Sequence, residues 1–415
     1  MSVDLVTIGV LVAMFVVATL TPINMGLMGF AAAFVVGGFL GMDAKEVARA
    51  LPADLLITLL GITYLFALAQ ANGAVARIVA GATRAVGGRA VAMPWLLFLI
   101  AAGLTGFGAL SPAAVAILAP LAMSFARRHG LNPLTTGLLV IHGAQAGGFS
   151  PLSIYGGITR KAVESGGLPF NAYAPFVFSL ALNTAAAVLL VLVMHRFGVS
   201  SASTTDVEEA PQEVKPSSMA SWVTLLGLAA LAVLTLTFKL EVGFVAIVIG
   251  LLLSTVALGA QRQVLQRLPW SEVVLIMGVA TYVAVLQKIG VIDRVGEAVA
   301  AIGSPALAAL LILYIGAVVS AFASSAAVLG SLIPLAIPLM RDQPPTLIYV
   351  FIGAMAVAST IVDVSPFSTN GALVLASAPE EARRRLFMRL VLYGALVTAL
   401  APLALWLIYL LLGGG

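Results

Sequence analysis

Two heptapeptides of one pattern hold much of the chain's polar chemistry. Ser150-Pro151-Leu152-Ser153-Ile154-Tyr155-Gly156 and Ser365-Pro366-Phe367-Ser368-Thr369-Asn370-Gly371 both read Ser-Pro-x-Ser-x-x-Gly and lie 215 positions apart, each inside an apolar stretch. A third Ser-Pro pair is Ser111-Pro112, and Ser324-Ser325 stands at the corresponding place in the second half. Serine caps helix starts, and proline suits the first helical position because its missing N–H needs no partner there. Each pair is therefore expected to begin a helix inside the apolar region. Helix starts offer free N–H groups and partial positive charge, which is a site for an anion. The bland alternative for a single Ser-Pro is a kink packed by its neighbours; matched pairs at symmetric positions argue against it.

Other polar side chains belong to the same stretches. Asp363 precedes the second heptapeptide and corresponds by spacing to Gly148. An acid within a membrane span is a functional candidate; Asp363 can hold a cation, carry a proton or cap a helix. Thr369 and Asn370 add a hydroxyl and an amide where the first copy has Ile154 and Tyr155. His142 and Gln145 share one helical face ahead of the first copy. His142 can titrate or donate to a carboxylate, or be a packed helix-face histidine. Arg160 and Lys161 read as loop charges.

No Lys or Arg stands at these tips or breaks. An anion there must be held by helix starts, hydroxyls, amides and bound cations. Sodium is a hard cation that takes oxygen ligands, as other hard cations do. Two cation sites are expected, one near Ser111 and Ser150 and one near Ser324, Ser325 and Ser365, with Asp363 beside the second. The expected substrate-binding set is Ser111, Pro112, Ser150, Pro151, Ser153, Ser324, Ser325, Ser365, Ser368, Thr369 and Asn370.

The elements that carry these residues follow from composition. The 415 residues are 61% hydrophobic and 9% charged, with a mean hydropathy of +1.12. That much apolar surface needs a bilayer, so an all-α polytopic membrane protein is expected. Zero cysteines exclude disulfides and thiolate metal sites, and three histidines argue against a His-rich metal centre. The net charge of +4 sits in loops, so nucleic acid is not an expected partner. The N-terminus lacks a basic region before its apolar run and reads as a first transmembrane helix.

Two halves of about five spans each are expected. The first, residues 1–196, has spans near 4–20, 23–40 and 53–72, a re-entrant hairpin at about 91–125, a broken helix at 134–158 and a span at 172–195. Residues 197–220, rich in Ser and Pro, read as a linker. The second half, 221–415, repeats the plan with spans near 222–238, 242–259 and 271–290. A hairpin at about 305–340 follows, with its tip at Phe322-Ala323-Ser324-Ser325, then a broken helix at 346–376 and a span at 387–411. Gln70-Ala71-Asn72-Gly73 matches Gln287-Lys288-Ile289-Gly290, and Ala113-Ala114-Val115 matches Ala326-Ala327-Val328. Five crossings per half is odd, so the repeats should be inverted, with broken helices meeting at mid-membrane.

Placing the linker on side one gives that side thirteen basic residues against eight, which assigns it to the cytoplasm and both termini to the outside of a bacterial inner membrane.

The stretches Thr21-Pro22-Ile23-Asn24-Met25-Gly26, PADLLITLLGITYLFALAQANG (52–73), LSPAAVAILAP (110–120) and HGAQAGGFSPLSIYG (142–156) resemble the MatC-type dicarboxylate carriers, associated with malonate and C4 acids. More distantly the chain is similar to the ion-transporter superfamily that includes divalent anion–sodium symporters. That resemblance implies a homodimer whose scaffold and transport regions move as an elevator. The symporters' Ser-Asn-Thr tips read Ser111-Pro112-Ala113 and Ser324-Ser325-Ala326 here. The expected function is secondary import of small dicarboxylates with sodium. Proton-coupled or exchange transport through Asp363 or His142 is the alternative, as is a membrane subunit of a binding-protein-dependent system. No acid–base or nucleophile constellation favours an enzyme, and no cofactor beyond sodium as coupling ion is expected.

Overall fold

The computed structural model describes residues 3–85, 92–196, 218–256, 261–294, 304–321 and 324–414. Among these no strand occurs. The first half runs α1 (Val3–Leu20), α2 (Met25–Phe39), α3 (Ala44–Arg49), α4 (Ala53–Ala71), α5 (Ala74–Ala85), α6 (Met93–Gly106), α7 (Ser111–Arg128), α8 (Pro133–Gly147), α9 (Ile154–Ser165) and α10 (Tyr173–Arg196). The second half repeats the order with α11 (Ser218–Leu236), α12 (Val242–Val256), α13 (Gln261–Gln266), α14 (Trp270–Lys288), α15 (Pro305–Ser320), α16 (Ser325–Met340), α17 (Pro345–Ile361), a 3-10 turn (Val362–Val364), α18 (Thr369–Ala376) and α19 (Glu380–Leu411). A counterpart of α5 would fall on a stretch that includes 295–303, outside the described residues.

Seven of the described helices, or helix pairs, are long and apolar enough to cross a membrane, and five shorter apolar helices accompany them. The chain is a multi-pass membrane protein. The hairpin arms α6, α15 and α16 have 14, 16 and 16 residues. At ~1.5 Å per residue they reach about 21–24 Å, short of a ~30 Å hydrocarbon core.

The structure adjusts several boundaries. The linker ends at 217, because Ser218–Ala220 already belong to α11; residues 197–217 lie outside those described. The last helix starts at Glu380, earlier than the expected 387. Its first turns are polar, but Glu380 and Glu381 there suit the positive end of the helix dipole. The polar stretch with Arg77 and Arg84 is helical as α5. Of the second hairpin tip, Phe322 and Ala323 lie outside the described residues.

Bare backbone brings the halves together. A Cβ on Gly278 would run into the carbonyl oxygen of Gly26, and one on Gly61 into that of Gly243. Adding 217 to 26 gives 243, and adding 217 to 61 gives 278, so α2–α14 and α12–α4 are one crossing made twice. Small residues permit such close approach where lipid gives no hydrophobic drive. Gly73 and Gly290, at φ +74° and +75°, end α4 and α14 in the left-handed conformation that glycine tolerates best.

The hairpins interlock in the same way. α7 packs on α18, and α16 packs on α9. α8 and α17 are buried along most of their length. Leu5, Phe34, Leu189, Leu252 and Leu392 point outward from the peripheral helices, as lipid-facing side chains do. The breaks in α8–α9 and α17–α18 are thereby held at the centre.

One end of the bundle collects the described ion pairs. Lys161 meets Asp54 at 2.6 Å, Arg160 meets Glu164 at 2.9 Å, Lys288 meets Glu46 at 3.1 Å, and Arg294 meets Asp4 at 2.7 Å. These basic residues all belong to the side assigned eight charges from the sequence. The start of α4 (Asp54) and the end of α14 (Gln287, bonded to the Ser165 carbonyl at 2.8 Å) both reach the far part of α9. The first turn of α4 and the last turn of α14 thus lie at the same end of α9.

Candidate functional site

The two breaks share one hydrogen-bonded design. Each opens with a four-residue turn carrying proline at its second position. The Ser153 N–H donates to the Ser150 carbonyl at 2.9 Å, and the Ser368 N–H donates to the Ser365 carbonyl at 3.0 Å. The second serine of each motif then caps the next helix. Ser153 Oγ accepts from the Gly156 N–H at 3.1 Å, and Ser368 Oγ accepts from the Gly371 N–H at 3.3 Å. The same hydroxyls donate toward backbone carbonyls, Ser153 to Gly148 and Ser150, Ser368 to Asp363 and Ser365. A Cβ on Gly156 or Gly371 would strike the carbonyl oxygen of Ser150 or Ser365.

This corrects the expectation that each Ser-Pro pair starts a helix. Ser150 and Ser365 lie three residues ahead of the caps, because proline is used in the turn. Ser150 Oγ instead donates to the Gly106 carbonyl and accepts from the Leu152 N–H at 3.2 Å. Ser365 Oγ accepts from the Phe367 N–H at 3.3 Å. At the first hairpin Leu110 is the cap residue, and Ser111 and Pro112 are the first two helical residues. Ser324 precedes α16 without a side-chain capping bond.

Freed from capping, two tip hydroxyls turn toward the second break. Asn370 Nδ2 donates to Ser111 Oγ at 2.8 Å, while Asn370 Oδ1 is buried without a partner. Ser325 Oγ lies 2.9 and 2.8 Å from the two carboxylate oxygens of Asp363. Ser320 Oγ lies 2.9 Å from Ser325 Oγ and donates to the Ser359 carbonyl.

A cavity of about 180 Å³ joins these elements. Pro112 of the first tip, Tyr155 of the first break, Ser324 and Ser325 of the second tip, and Asp363 and Thr369 of the second break all line it. Ser271 and Glu272 of α14 complete it. The size suits a small molecule, and hydroxyls converge on it from four segments. Ser150, Ser153, Ser365 and Ser368 stand behind this wall and shape the breaks. Pro151 and Gly156 line a second cavity, of about 390 Å³, with Arg160, Lys161, Lys239 and Tyr173. The first break thus borders both cavities, Tyr155 on the smaller and Gly156 on the larger.

His142 is fully buried away from the smaller cavity's lining. Its Nδ1 lies 2.9 Å from Asn183 Oδ1 and its Nε2 lies 2.7 Å from the Tyr393 hydroxyl. Asn183 Nδ2 donates to the Ser179 carbonyl at 3.0 Å, so Asn183 Oδ1 faces the histidine as acceptor and Nδ1 carries the proton. Nε2 then accepts from Tyr393. Gln145 is buried, with neither amide atom partnered, while its carbonyl accepts from Ser179 Oγ at 2.8 Å.

Glu272, Ser271 and Tyr155 were not singled out by sequence. Glu272 lies at the start of an apolar helix, where an acid reads as a favourable dipole partner and carries no motif. Tyr155 stood in the quoted heptapeptide, and only the fold shows that it faces the cavity.

The fold and the broken-helix site define a multi-pass membrane protein, and the likenesses that follow indicate that it is a transporter. Residues 1–148 match the family model of the dicarboxylate carrier protein MatC N-terminus, which bears out the resemblance read from the sequence. The structure is similar to that of the Alcanivorax borkumensis YdaH transporter, with a TM-score of 0.66 and 17% identity over 94% of this chain and 98% of that one. It is also similar to Neisseria gonorrhoeae MtrF, described as illuminating a class of antimetabolite efflux pumps, with a TM-score of 0.59 and 14% identity over 86% of this chain and 80% of that one. These likenesses establish the fold. No curated protein matches the chain.

Proposed function

We propose that the protein imports small dicarboxylates, malonate or C4 acids, by cation symport, with sodium as the coupling ion. The observation that carries this reading is the cavity in which both hairpin tips and both breaks meet. Broken backbone at membrane depth is tolerated only where it is buried in protein or lines a cavity, and paired breaks mark transporter binding sites. The match of residues 1–148 to a dicarboxylate carrier family supports this substrate class.

Counting hydrogens supports a cation at Asp363. Three contacts run in series, from Asp363 to Ser325, from Ser325 to Ser320, and from Ser320 to the Ser359 carbonyl. Two hydroxyls supply two hydrogens. With Asp363 ionised and bare, one contact has no hydrogen. A cation between Asp363 and Ser325 Oγ releases the Ser325 hydrogen to Ser320, and every contact is then satisfied. Sodium does this as an oxygen-ligated ion, and Ser365 stands on the same break. A proton on Asp363 does it equally, which is the specific ground for proton coupling as the second reading.

The reciprocal glycine crossings, and the first turn of α4 and last turn of α14 lying at the same end of α9, support two inverted repeats. In this reading α1–α4 and α11–α14 form the scaffold of a homodimer, and the hairpins with the broken helices move against it as an elevator. Placement in a bacterial inner membrane with both termini outside completes the reading.

The chain has no cysteine, so single-cysteine variants report one position each. Thr369→Cys should react with a small thiol reagent, and malonate with sodium should slow that reaction. Reaction rates indifferent to malonate, with or without sodium, would count against a substrate site in this cavity.

A further inference from the structure

The cavity that joins both tips and both breaks has a one-sided charge pattern. Among the described residues that line it, the ionisable acids are Asp363 and Glu272, and there is no Lys, Arg or His. The two carboxylates come from different parts of the fold. Asp363 is buried within the second break, while Glu272 is exposed on the first turn of α14. Asp363 is engaged by Ser325. Among the described residues no basic side chain pairs with Glu272, so it presents its carboxylate to anything entering the cavity. Asn24 Nδ2 fixes the start of α14 by donating to the Ser271 carbonyl and hydroxyl, both at 3.0 Å, so Glu272 stands on an anchored turn.

We propose that Glu272 is a specificity-determining residue, a charge filter that discriminates among carboxylates by their number of charges. This rests on the carboxylate-transport reading above. A cation at Asp363 neutralises that carboxylate and leaves no net positive charge for the substrate, and no basic side chain among the described lining residues offsets either charge of a bound dianion. Glu272 therefore repels a dianion across the cavity more than a monoanion. It selects for substrates that arrive singly charged or accompanied by a further cation, and against more highly charged acids. The pull of the α14 helix dipole on a first-turn acid would explain the residue structurally, but it predicts no discrimination between substrates.

The test compares malonate with malonamate, its monoamide, which has nearly the same shape and one charge fewer. KM for uptake of each is measured in proteoliposomes holding the wild-type chain, Glu272→Gln or Glu272→Asp. Removing one like charge across a partly hydrated cavity is worth about two- to sixfold in affinity for the dianion. Glu272→Gln should therefore lower KM for malonate by about that factor more than for malonamate. Glu272→Asp should keep the wild-type ratio. A ratio unchanged in Glu272→Gln, or shifted equally in Glu272→Asp, overturns the filter. Wild-type uptake of neither compound overturns the carboxylate reading itself, and the filter with it.

Discussion

The side-chain amide of Asn370 donates to the hydroxyl of Ser111 at 2.8 Å, joining the second break to the first hairpin tip across 259 positions of sequence. Its carbonyl oxygen is buried with no partner. Asn370→Ala removes both the tip contact and the free acceptor, whereas Ser111→Ala removes the contact alone. A neutral hydrogen bond contributes about 1 kcal/mol, so Ser111→Ala should lower stability by about that much. Asn370→Ala should raise KM more than Ser111→Ala does. Melting in detergent and uptake kinetics on the two variants check both points.

Ser325 serves Asp363 in the cavity that both line. Ser325→Ala leaves a buried carboxylate without its donor, at a cost of about 1–3 kcal/mol. Asp363→Asn keeps the shape and can donate to Ser325 itself. The variant should therefore fold with near-normal stability and lose cation-driven uptake to the level of empty liposomes. Thermal melting beside uptake separates the two variants. Normal uptake by Asp363→Asn would remove Asp363 from the coupling mechanism.

The caps at Ser153 and Ser368 are equivalent by geometry and should fail equivalently. Replacing either by alanine costs about 1 kcal/mol of helix-start stability. Gly156→Ala and Gly371→Ala go further, since the added methyl meets the carbonyl of Ser150 or Ser365. Both should abolish uptake while leaving the secondary structure intact by circular dichroism.

The glycine crossings make a matched pair of stability predictions. Gly278→Ala and Gly61→Ala each drive a methyl into a facing backbone, and overpacking of this kind costs about 1–3 kcal/mol or more. Their losses in melting temperature should agree with each other. Gly9→Ala, where a methyl meets nothing within 4 Å, should melt like the wild type.

Much of the architecture was legible because its signals are local. The Ser-Pro-x-Ser-x-x-Gly repeat marked both breaks, and Gly73 with Gly290 marked equivalent helix ends. The apolar run at about 305–340, interrupted by small polar residues, was read as one hairpin, and the structure divides it into Pro305–Ser320 and Ser325–Met340. The first match ends at residue 148, inside the stretches that carried the family resemblance. What stayed hidden depends on distance. Ser153 and Ser368 rather than Ser150 and Ser365 became the caps because proline preferred the turn, a choice that the Ser-Pro dipeptide alone does not reveal. Glu272 lies about 90 residues from Asp363 along the chain; only packing of α14 against the tip helix α16 brings them to one cavity. His142 looked available to a ligand, while Asn183 and Tyr393, from α10 and α19, occupy both its nitrogens.

The most direct test of the central claim is uptake of radiolabelled malonate into proteoliposomes containing only this chain, with an inward sodium gradient or an equal potassium gradient at fixed pH. The account predicts uptake with sodium that is lost in Asp363→Asn. Uptake driven equally by both salts but responsive to a pH gradient would move the coupling to a proton on Asp363. No uptake of malonate or of C4 dicarboxylates under any of these gradients would contradict the dicarboxylate symport reading.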